Sequence, residues 1–476
     1  MSLQRIDARF LLPFRVERAL TLLGGEAWDA PLAHAGVSPP TDQTPDLVAC
    51  GVESLRSATS LGARAIIVEG RTRRAASGFH ERPFLAIPTL EQPSLLVPTD
   101  RPNVAAYAFE NWTFPSGRIR TLRKRLLVAF PRTALAVAPQ GRLTIVTRKP
   151  AKPFLIAAAG EQVDLGQDSD WYLVCGQGDE LARGLFVVFP HGAQRPSWVV
   201  KFARVPGYRE PFERDQRGLG IVQTAGGVAA ARAPRLLGRF SAAGLEASVE
   251  TAAVGRRMSG VLGSAIGDDW KHRLVRAVAD WILRIAVETR RPASISPELD
   301  RLSEHVLPLW ADAPPNLLRG LETIPGVLQH NDLGAWNIVV DRDGGFTALD
   351  WESARVPGLP LWDLWYFLAD VLPTLEGTDD RGAAFRRLFR GESASSALLF
   401  ELTRAAVSAL QIPADLVGRI ASLCWLHHGV SHIERAESLE RYARDTRATQ
   451  WPTQEFPRIW LDDPLLGEGW SAWRAS

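Results

Sequence analysis

The chain has 476 residues, of which 46% are hydrophobic and 23% charged, a composition that excludes a wholly disordered protein. A formal net charge of +2 argues against binding nucleic acid through a broad basic field, so no nucleic-acid partner is expected. The three cysteines are far apart and no apolar run reaches about 18 residues, which argues against a disulfide framework and a spanning helix and indicates a cytoplasmic location.

The first 135 residues are predicted to form an α/β domain with a parallel sheet. Short β-branched runs alternate there with helical stretches, as in strands joined by crossover helices. The loop after the first strand, Gly24-Gly25-Glu26, is not a dinucleotide fingerprint. The predicted strands cover residues 18–24, 45–51, 63–70 and 83–90, and the predicted helices cover 27–36, 53–62 and 71–79.

The sequence ARAIIVEGR at 63–71 resembles a late strand in the sheet of a Rossmann-like methyltransferase. No glycine-rich cofactor loop accompanies it. The resemblance implies a Rossmann-like domain of nucleotide type or an interaction module, and an active methyltransferase is a further alternative.

Residues 102–133 are predicted to be helical, and the segment 118–130 is strongly basic, with Arg118, Arg120, Arg123, Lys124 and Arg125 beside leucines. One interpretation is a helix between two domains with a solvated basic face. The other is a helix that contacts an anionic membrane surface.

From residue 136 the pattern changes to strands followed by helices, which predicts an α+β protein with two lobes. The first lobe, 136–255, is predicted to contain mainly strands and one helix at 211–224. The second lobe, 256–476, is mainly helical. The predicted strands include 144–150, 153–160, 171–179, 184–192, 197–205, 234–238 and 245–253.

The segment 326–368 contains the residues that indicate a chemistry. The runs NIVV and FTALD flank the turn 341–345 and predict a β-hairpin. Asp332 and Asn337 precede its first strand and Asp350 ends its second, so the hairpin brings three oxygen-bearing side chains to one end. Phosphoryl transfer needs such a set: one carboxylate orients the attacking hydroxyl and accepts its proton, while a carboxylate and an amide oxygen bind Mg²⁺. Asp332 is the predicted base, and Asn337 and Asp350 are the predicted metal ligands.

HNDLGAWN at 330–337, LDWE at 349–352 and GLPLWDL at 358–364 resemble the motifs of the aminoglycoside phosphotransferase and choline kinase group. Asn331 replaces the glycine usual in that group. The resemblance implies a protein-kinase-like fold and an enzyme that uses ATP and Mg²⁺. It also implies supporting roles for His330, Glu352 and Asp363, with Asp363 buttressing the catalytic loop.

Lys201 is the candidate for the strand lysine that binds the nucleotide phosphates in such kinases. It is one of only five lysines beside 50 arginines, and arginine cannot replace a compact ammonium. Asp215 is predicted to orient Lys201, because helical spacing places it on the buried face with Phe212 and Leu219. Glu213 remains the alternative.

Two further segments are predicted to bind the nucleotide. Gly176 and Gly178 precede the Lys201 strand by one hairpin, where glycines allow a close approach of backbone to phosphate. Glu250 and Ala252 occupy the hinge position that the family layout implies for contact with the base.

The sequence therefore predicts an N-terminal α/β domain followed by a small-molecule kinase that transfers the γ-phosphate of ATP to a hydroxyl. The partners are a nucleotide and a small acceptor, such as a sugar, a polyol or a polysaccharide precursor. The alternative is a catalytically silent kinase-fold scaffold protein that acts through its N-terminal domain.

Overall fold

The computed structural model describes residues 3–41, 44–70, 78–112, 118–131, 141–176, 178–264, 266–291, 295–443 and 455–474. The chain forms two compact units. Unit 1 comprises Met1–Phe212, Leu236–Val254 and Leu439–Arg447, and unit 2 comprises Glu213–Arg235, Gly255–Ser438 and Ala448–Ser476. No division lies at the predicted boundary between residues 135 and 136. The physical reason is that strands from both sides of that boundary belong to one sheet of unit 1.

Eleven strands form one continuous sheet in the described part of unit 1, in the order β1-β2-β3-β6-β4-β5-β7-β8-β9-β11-β10. The strand β6 lies between β3 and β4 and is antiparallel to both. The strands are β1 (Ala19–Thr21), β2 (Leu47–Gly51), β3 (Ala65–Glu69), β4 (His80–Pro88), β5 (Pro93–Pro98), β6 (Arg142–Thr147), β7 (Asp170–Val174), β8 (Gly184–Phe189), β9 (Trp198–Phe202), β10 (Leu236–Ala242) and β11 (Leu245–Thr251).

The predicted parallel sheet is confirmed only for β1, β2 and β3. The strands β4 and β5 pair antiparallel, as do all later neighbours, so the prediction of a parallel sheet over residues 1–101 is wrong for its second half. The turn 89–92 joins β4 directly to β5. A connection this short can join antiparallel strands only, because parallel strands need a crossover of a dozen or more residues. The parallel pairing expected of a Rossmann-like domain is thus limited to three short strands.

Five helices are described in unit 1: α1 (Asp29–His34), α2 (Leu55–Ser60), α3 (Pro102–Trp112), α4 (Arg118–Ala129) and α5 (Phe154–Gln162). The prediction of a strand at 153–160 is wrong, because α5 covers that run and buries Leu155, Ile156 and Ala159 on one side. A short apolar run has no clear period, so helix and strand are not distinguishable there from sequence. The predicted helix at 71–79 lies mostly outside the described residues.

Unit 2 is mainly helical, with two small sheets that position the candidate site. The described helices are α6 (Glu210–Ala225, from residue 213 onward in this unit), α7 (Gly227–Ala230), α8 (Met258–Leu262), α9 (Asp268–Glu288), α10 (Ser296–His305), α11 (Trp362–Leu375), α12 (Arg381–Arg390), α13 (Ser396–Leu410), α14 (Val417–Tyr442) and α15 (Phe456–Asp462). The described strands are β12 (Arg256–Arg257), β13 (Val327–Gln329), β14 (Ile338–Val340), β15 (Phe346–Ala348) and β16 (Arg355–Gly358).

The predicted hairpin is confirmed: β14 and β15 pair antiparallel, with Ile338 opposite Ala348. The strand β12 adds to the outer side of β14, and β13 pairs with β16. Across the described ranges, none of the helices combines the length and the apolar character that crossing a membrane requires.

Candidate active site

The catalytic loop, defined as residues 330–337, is tied to the end of the hairpin by hydrogen bonds on both sides of Leu349. The Leu349 N–H donates to the carbonyl of Asn337 at 2.7 Å. The Leu349 carbonyl accepts from His330 Nε2 at 2.7 Å. Asp350 follows directly, so the hairpin returns it to the neighbourhood of Asn337, as its length and turn predicted.

Asp363 lies beneath this loop and accepts two of its backbone N–H groups. His330 N donates to Oδ2 at 2.6 Å and Asn331 N donates to Oδ1 at 2.8 Å. Burial raises the pKa of Asp363, while the nearby His330 and the two N–H donors lower it. The contact fits the predicted buttressing role.

Asn331 has a φ of 65°, in the left-handed region where glycine is preferred and asparagine is tolerated better than most residues. Its Nδ2 donates to the Ser353 carbonyl at 3.0 Å. This backbone conformation explains why the related motif usually has glycine at this position and why this chain can have asparagine there.

The Asp332 carboxylate accepts hydrogen bonds from two sides. Asn337 Nδ2 donates to Oδ2 at 2.9 Å, and the Tyr366 hydroxyl donates to Oδ1 at 3.3 Å. Burial, followed by the charges of Asp350 and Glu352, raises the pKa of Asp332 to about 8. Sequence reasoning missed Tyr366, which lies 34 residues away on α11, although its position three residues after Asp363 on that helix was a usable signal.

His330 is held as a neutral imidazole behind the loop. Burial lowers its pKa, its Nδ1 accepts from the Asp332 N–H at 3.3 Å, and its ring lies 4.5 Å from that of Trp351. Its two nitrogens therefore connect Asp332 to Leu349.

The segment 350–352 rests on α6. Asp350 is left-handed, with a φ of 57°. Trp351 is buried, and a Cβ added to Gly218 on α6 would overlap the Trp351 carbonyl oxygen. Asp215 is buried one turn before Gly218 on the same helix. Glu352 lies 3.9 Å from the Arg214 guanidinium.

The donors at the end of the hairpin fit Mg²⁺, which prefers one or two carboxylates together with substrate phosphate oxygens. The Asn337 amide nitrogen faces Asp332, so its Oδ1 is directed elsewhere and is a suitable hard ligand. In the described ranges there is no cluster of three or more His, Cys, Asp or Glu side chains with metal-binding geometry. The predicted pair Asn337 and Asp350 would therefore need oxygen ligands from the substrate.

In unit 1, the buried Lys201 ammonium lies 2.9 Å from Glu250 Oε1. Lys201 pairs with Ser248 in the antiparallel ladder and Glu250 with Val199, so lysine and glutamate are diagonal neighbours on one face. Sequence reasoning assigned Glu250 to the hinge and missed this ion pair. The relevant signal is the alternation of side chains along a strand. Glu250 lies two residues after Ser248, the residue opposite Lys201, and therefore points to the same face as Lys201. Asp215, the predicted partner of Lys201, belongs to unit 2.

The predicted glycine loop is filled by an internal ion pair. Gly176 N donates to Asp7 Oδ2 at 3.1 Å, and Arg204 Nε donates to Asp7 Oδ1 at 2.9 Å. A Cβ at Gly176 would overlap the Arg204 side chain. Gly178 has a φ of 93°, which favours glycine. The Gly176 N–H therefore already binds a carboxylate, and it would reach a phosphate only after Asp7 moved.

Ala252 continues the sheet beyond β11, because its N–H donates to the Ser197 carbonyl at 2.9 Å. Within unit 1, Lys201 and Glu250 are thus brought together. Gly176 and Ala252 have their N–H groups engaged inside the protein.

Residues 241–399 match the model of the phosphotransferase enzyme family. No curated protein matches the chain. Among solved structures, the chain is similar to aminoglycoside phosphotransferase APH(3'')-Id from Streptomyces rimosus ATCC10970, at 13% identity over 57% of this chain and 94% of that chain, with a TM-score of 0.33. The complex of that protein with ADP and streptomycin gives 13% identity, 57% and 96% coverage and a TM-score of 0.34.

A further similar structure is an aminoglycoside-3'-phosphotransferase of type VIII, at 16% identity over 53% of this chain and 98% of that chain, with a TM-score of 0.32. The family match includes the whole segment from His330 to Asp363. Residues 241–399 of this chain therefore carry the sequence pattern of the phosphotransferase enzyme family, and the resemblance expected from HNDLGAWN and LDWE is confirmed.

Proposed function

We propose that this chain is an ATP-dependent phosphotransferase that transfers the γ-phosphate to a hydroxyl group of a small acceptor. The observation that carries the proposal is the arrangement around Asp332. One of its oxygens binds the Asn337 amide and the other binds the Tyr366 hydroxyl, at the end of the hairpin that carries Asp350. This arrangement, within a segment that matches the family model, is suited to orient a hydroxyl for attack on a phosphoryl group.

In the proposed reaction the acceptor hydroxyl oxygen forms a bond to the γ-phosphorus while the bond from phosphorus to the β,γ-bridging oxygen breaks. ADP leaves and the hydroxyl proton passes to an oxygen of Asp332. The raised pKa of Asp332 favours retention of that proton once it is transferred. Tyr366 and Asn337 fix the carboxylate in one orientation, so less ordering is needed when the acceptor binds.

The nucleotide phosphates are proposed to bind the Lys201 ammonium, which Glu250 orients through the 2.9 Å ion pair. Asn337 and Asp350 would hold Mg²⁺, which supplies positive charge to the phosphate oxygens when it is bound. Asp215 remains a proposed orienting residue. The loop is held in place by His330 and Asp363. The charge of Glu352 contributes to the raised pKa of Asp332.

The surroundings of Tyr366 suggest the acceptor class. Its ring stacks on His428 at 3.9 Å between centroids and contacts Trp336 edge-on at 6.1 Å. The nearby Asp370 accepts the Ala335 N–H at 2.8 Å and lies 3.9 Å from Arg381, so its charge is already compensated. Tyr366 is buried, so the partly exposed Trp336 is the aromatic side chain of this pair that would pack against the apolar face of a sugar ring, whereas a polycation needs uncompensated carboxylates. We infer a neutral sugar or polyol acceptor.

The test is a phosphoryl-acceptor screen of the full-length protein with labelled ATP and Mg²⁺, using neutral sugars, polyols and polycationic aminoglycosides in parallel. We expect transfer to a neutral acceptor. In Asp332→Asn, kcat is expected to fall by about 10² or more while the nucleotide Kd changes only a few-fold, because the amide cannot accept the proton. The matched control is Asp343→Asn, an exposed aspartate in the hairpin turn, which is expected to keep full activity.

Two outcomes separate the parts of the proposal. Better transfer to aminoglycosides than to sugars would overturn the acceptor class and leave the phosphotransferase intact. ATP binding without transfer to any acceptor, unchanged by Asp332→Asn, would instead favour the scaffold interpretation.

A further inference from the structure

The helix α4 of unit 1 exposes a row of large apolar side chains. Leu122, Leu126 and Phe130 are 58%, 51% and 62% exposed, at intervals of four residues. Phe130 directly follows the helix, and its N–H donates to the Leu126 carbonyl at 2.8 Å, so it continues the same helical row. Leu23 and Leu465, which are also large, apolar and exposed, have no second such residue one helical turn away along the chain. We call this row the α4 stripe.

The opposite side of α4 fastens the helix to unit 1. Lys124 Nζ donates to the Glu110 carbonyl on α3 at 2.8 Å, and Val128 packs against the apolar cluster that contains Tyr107 and Phe109. Lys124 and Val128 are offset by two residues from the stripe, about 200° around the helix. The stripe therefore points away from the core that secures the helix.

The same helix carries a concentrated positive charge. Arg118–Ala129 contains Arg118, Arg120, Arg123, Lys124 and Arg125 and no acidic residue. Arg125 is exposed within one turn of Leu122 and Leu126. A helix with an exposed apolar row and adjacent cations matches the boundary of an anionic bilayer, where apolar side chains reach the acyl region and cations contact phosphate headgroups.

Nucleic acid fits this surface less well, because phosphate contacts alone leave large aliphatic side chains exposed to water. A partly acidic protein surface would meet the charges, but nothing about the row specifies a complementary groove. The combination of exposed leucines, a terminal phenylalanine and a helix sequence with basic but no acidic residues favours lipid.

We propose that α4 and Phe130 form a docking surface for membranes that contain anionic phospholipids. The surface binds peripherally, with Leu122, Leu126 and Phe130 inserted and the exposed Arg125 at the headgroups. This inference concerns unit 1 and does not depend on the proposed phosphotransferase activity.

The experiment is co-sedimentation of the full-length protein with vesicles of phosphatidylcholine, alone or mixed with phosphatidylserine. Binding is expected only to the mixed vesicles and is expected to weaken as salt is added. Replacing the stripe by serine (Leu122→Ser, Leu126→Ser, Phe130→Ser) should lower the partition coefficient at least about tenfold. Arg125→Gln should lower it about fivefold. Leu23→Ser and Arg56→Gln, exposed residues elsewhere in unit 1, are the matched controls and should bind normally.

A second measurement locates the inserted residue without depending on the strength of binding. Cys50, Cys175 and Cys424 are all buried, so a polarity-sensitive thiol dye should label Phe130→Cys selectively. Its emission should increase with anionic vesicles, whereas a dye on Leu23→Cys should not respond. Equal binding to both vesicle types, or a stripe variant that binds vesicles as well as the parent protein, would overturn the proposal. It would also be overturned if vesicle binding were unaffected by the substitutions and were lost only on addition of duplex nucleic acid.

Discussion

The catalytic loop of unit 2 and the glycine-containing loop of unit 1 are both anchored by a buried aspartate that accepts backbone N–H groups. Asp363 accepts those of His330 and Asn331, and Asp7 accepts that of Gly176. The two aspartates differ in how their charge is balanced. Asp7 forms a 2.9 Å ion pair with the buried Arg204, whereas Asp363 relies on its two backbone N–H donors.

Because their charges are balanced differently, the two loops differ in how well they are arranged for chemistry. In the catalytic loop the anchoring Asp363 carboxylate binds the backbone N–H groups of His330 and Asn331 and is not hydrogen-bonded to the side chains of Asp332 and Asn337. In the glycine loop the carboxylate takes up the very N–H group that a phosphate would use. We therefore expect unit 1 to contact an anionic substrate through Lys201 rather than through Gly176.

Replacing the two anchoring aspartates should change the stability of the protein more than any other substitution considered below. Asp7→Asn removes the carboxylate that forms this ion pair with the buried Arg204 guanidinium, which should lower the free energy of unfolding by about 3–5 kcal/mol. Asp363→Asn leaves no uncompensated cation and should cost about 1–3 kcal/mol through imperfect hydrogen bonds. Chemical denaturation, followed by hydrogen exchange of the strands β7 to β9, measures the two losses.

The double variant Asp7→Asn with Arg204→Met is the control, because removing both charges should recover most of the loss. Equal losses for the two single variants, with no recovery in the double variant, would contradict the distinction between the loops.

A smaller effect concerns Lys201, the group through which unit 1 is expected to act. Lys201→Arg should reduce kcat/KM for ATP as much as Lys201→Ala, at least about tenfold, because a planar guanidinium does not fit the place of a compact ammonium beside Glu250. Glu250→Gln should mainly raise the KM for ATP, because the ammonium loses its orienting partner. Steady-state kinetics with the exposed Lys149→Arg as matched control tests this, and normal activity in Lys201→Arg would make the residue an ordinary strand lysine.

The parts of the site that sequence could predict are those separated by short stretches of chain. The hairpin turn and the Asp332 to Asn337 spacing fix the end at which Asp350 lies, so three candidate residues follow from local pattern. Asp7 is 169 residues from Gly176, and its contact depends on where the N-terminal segment packs. No local pattern contains that information.

The fold shows the same limit. Most strands were located within a few residues, because alternation and turn residues are local. The insertion of β6 between β3 and β4 depends on pairing across about 75 residues, and the short apolar run of α5 has no period that separates helix from strand. The sheet order and the boundary of unit 1 were therefore not accessible, although the motif of unit 2 was.

The smallest effect we expect tests the electrostatics that set the catalytic loop apart. Glu352 is among the carboxylates that raise the pKa of Asp332 to about 8. Glu352→Gln removes a negative charge, so the Asp332 pKa should fall and the base should ionise at lower pH. Because activity requires the ionised base, the acid limb of the kcat profile should move to lower pH, by a few tenths of a unit up to about one unit. A pH series in saturating ATP and acceptor measures the shift. Asp343→Asn removes an exposed carboxylate from the hairpin turn and should leave the limb in place. A shift to higher pH in Glu352→Gln, or an equal shift in both variants, would show that the limb reports a group other than Asp332.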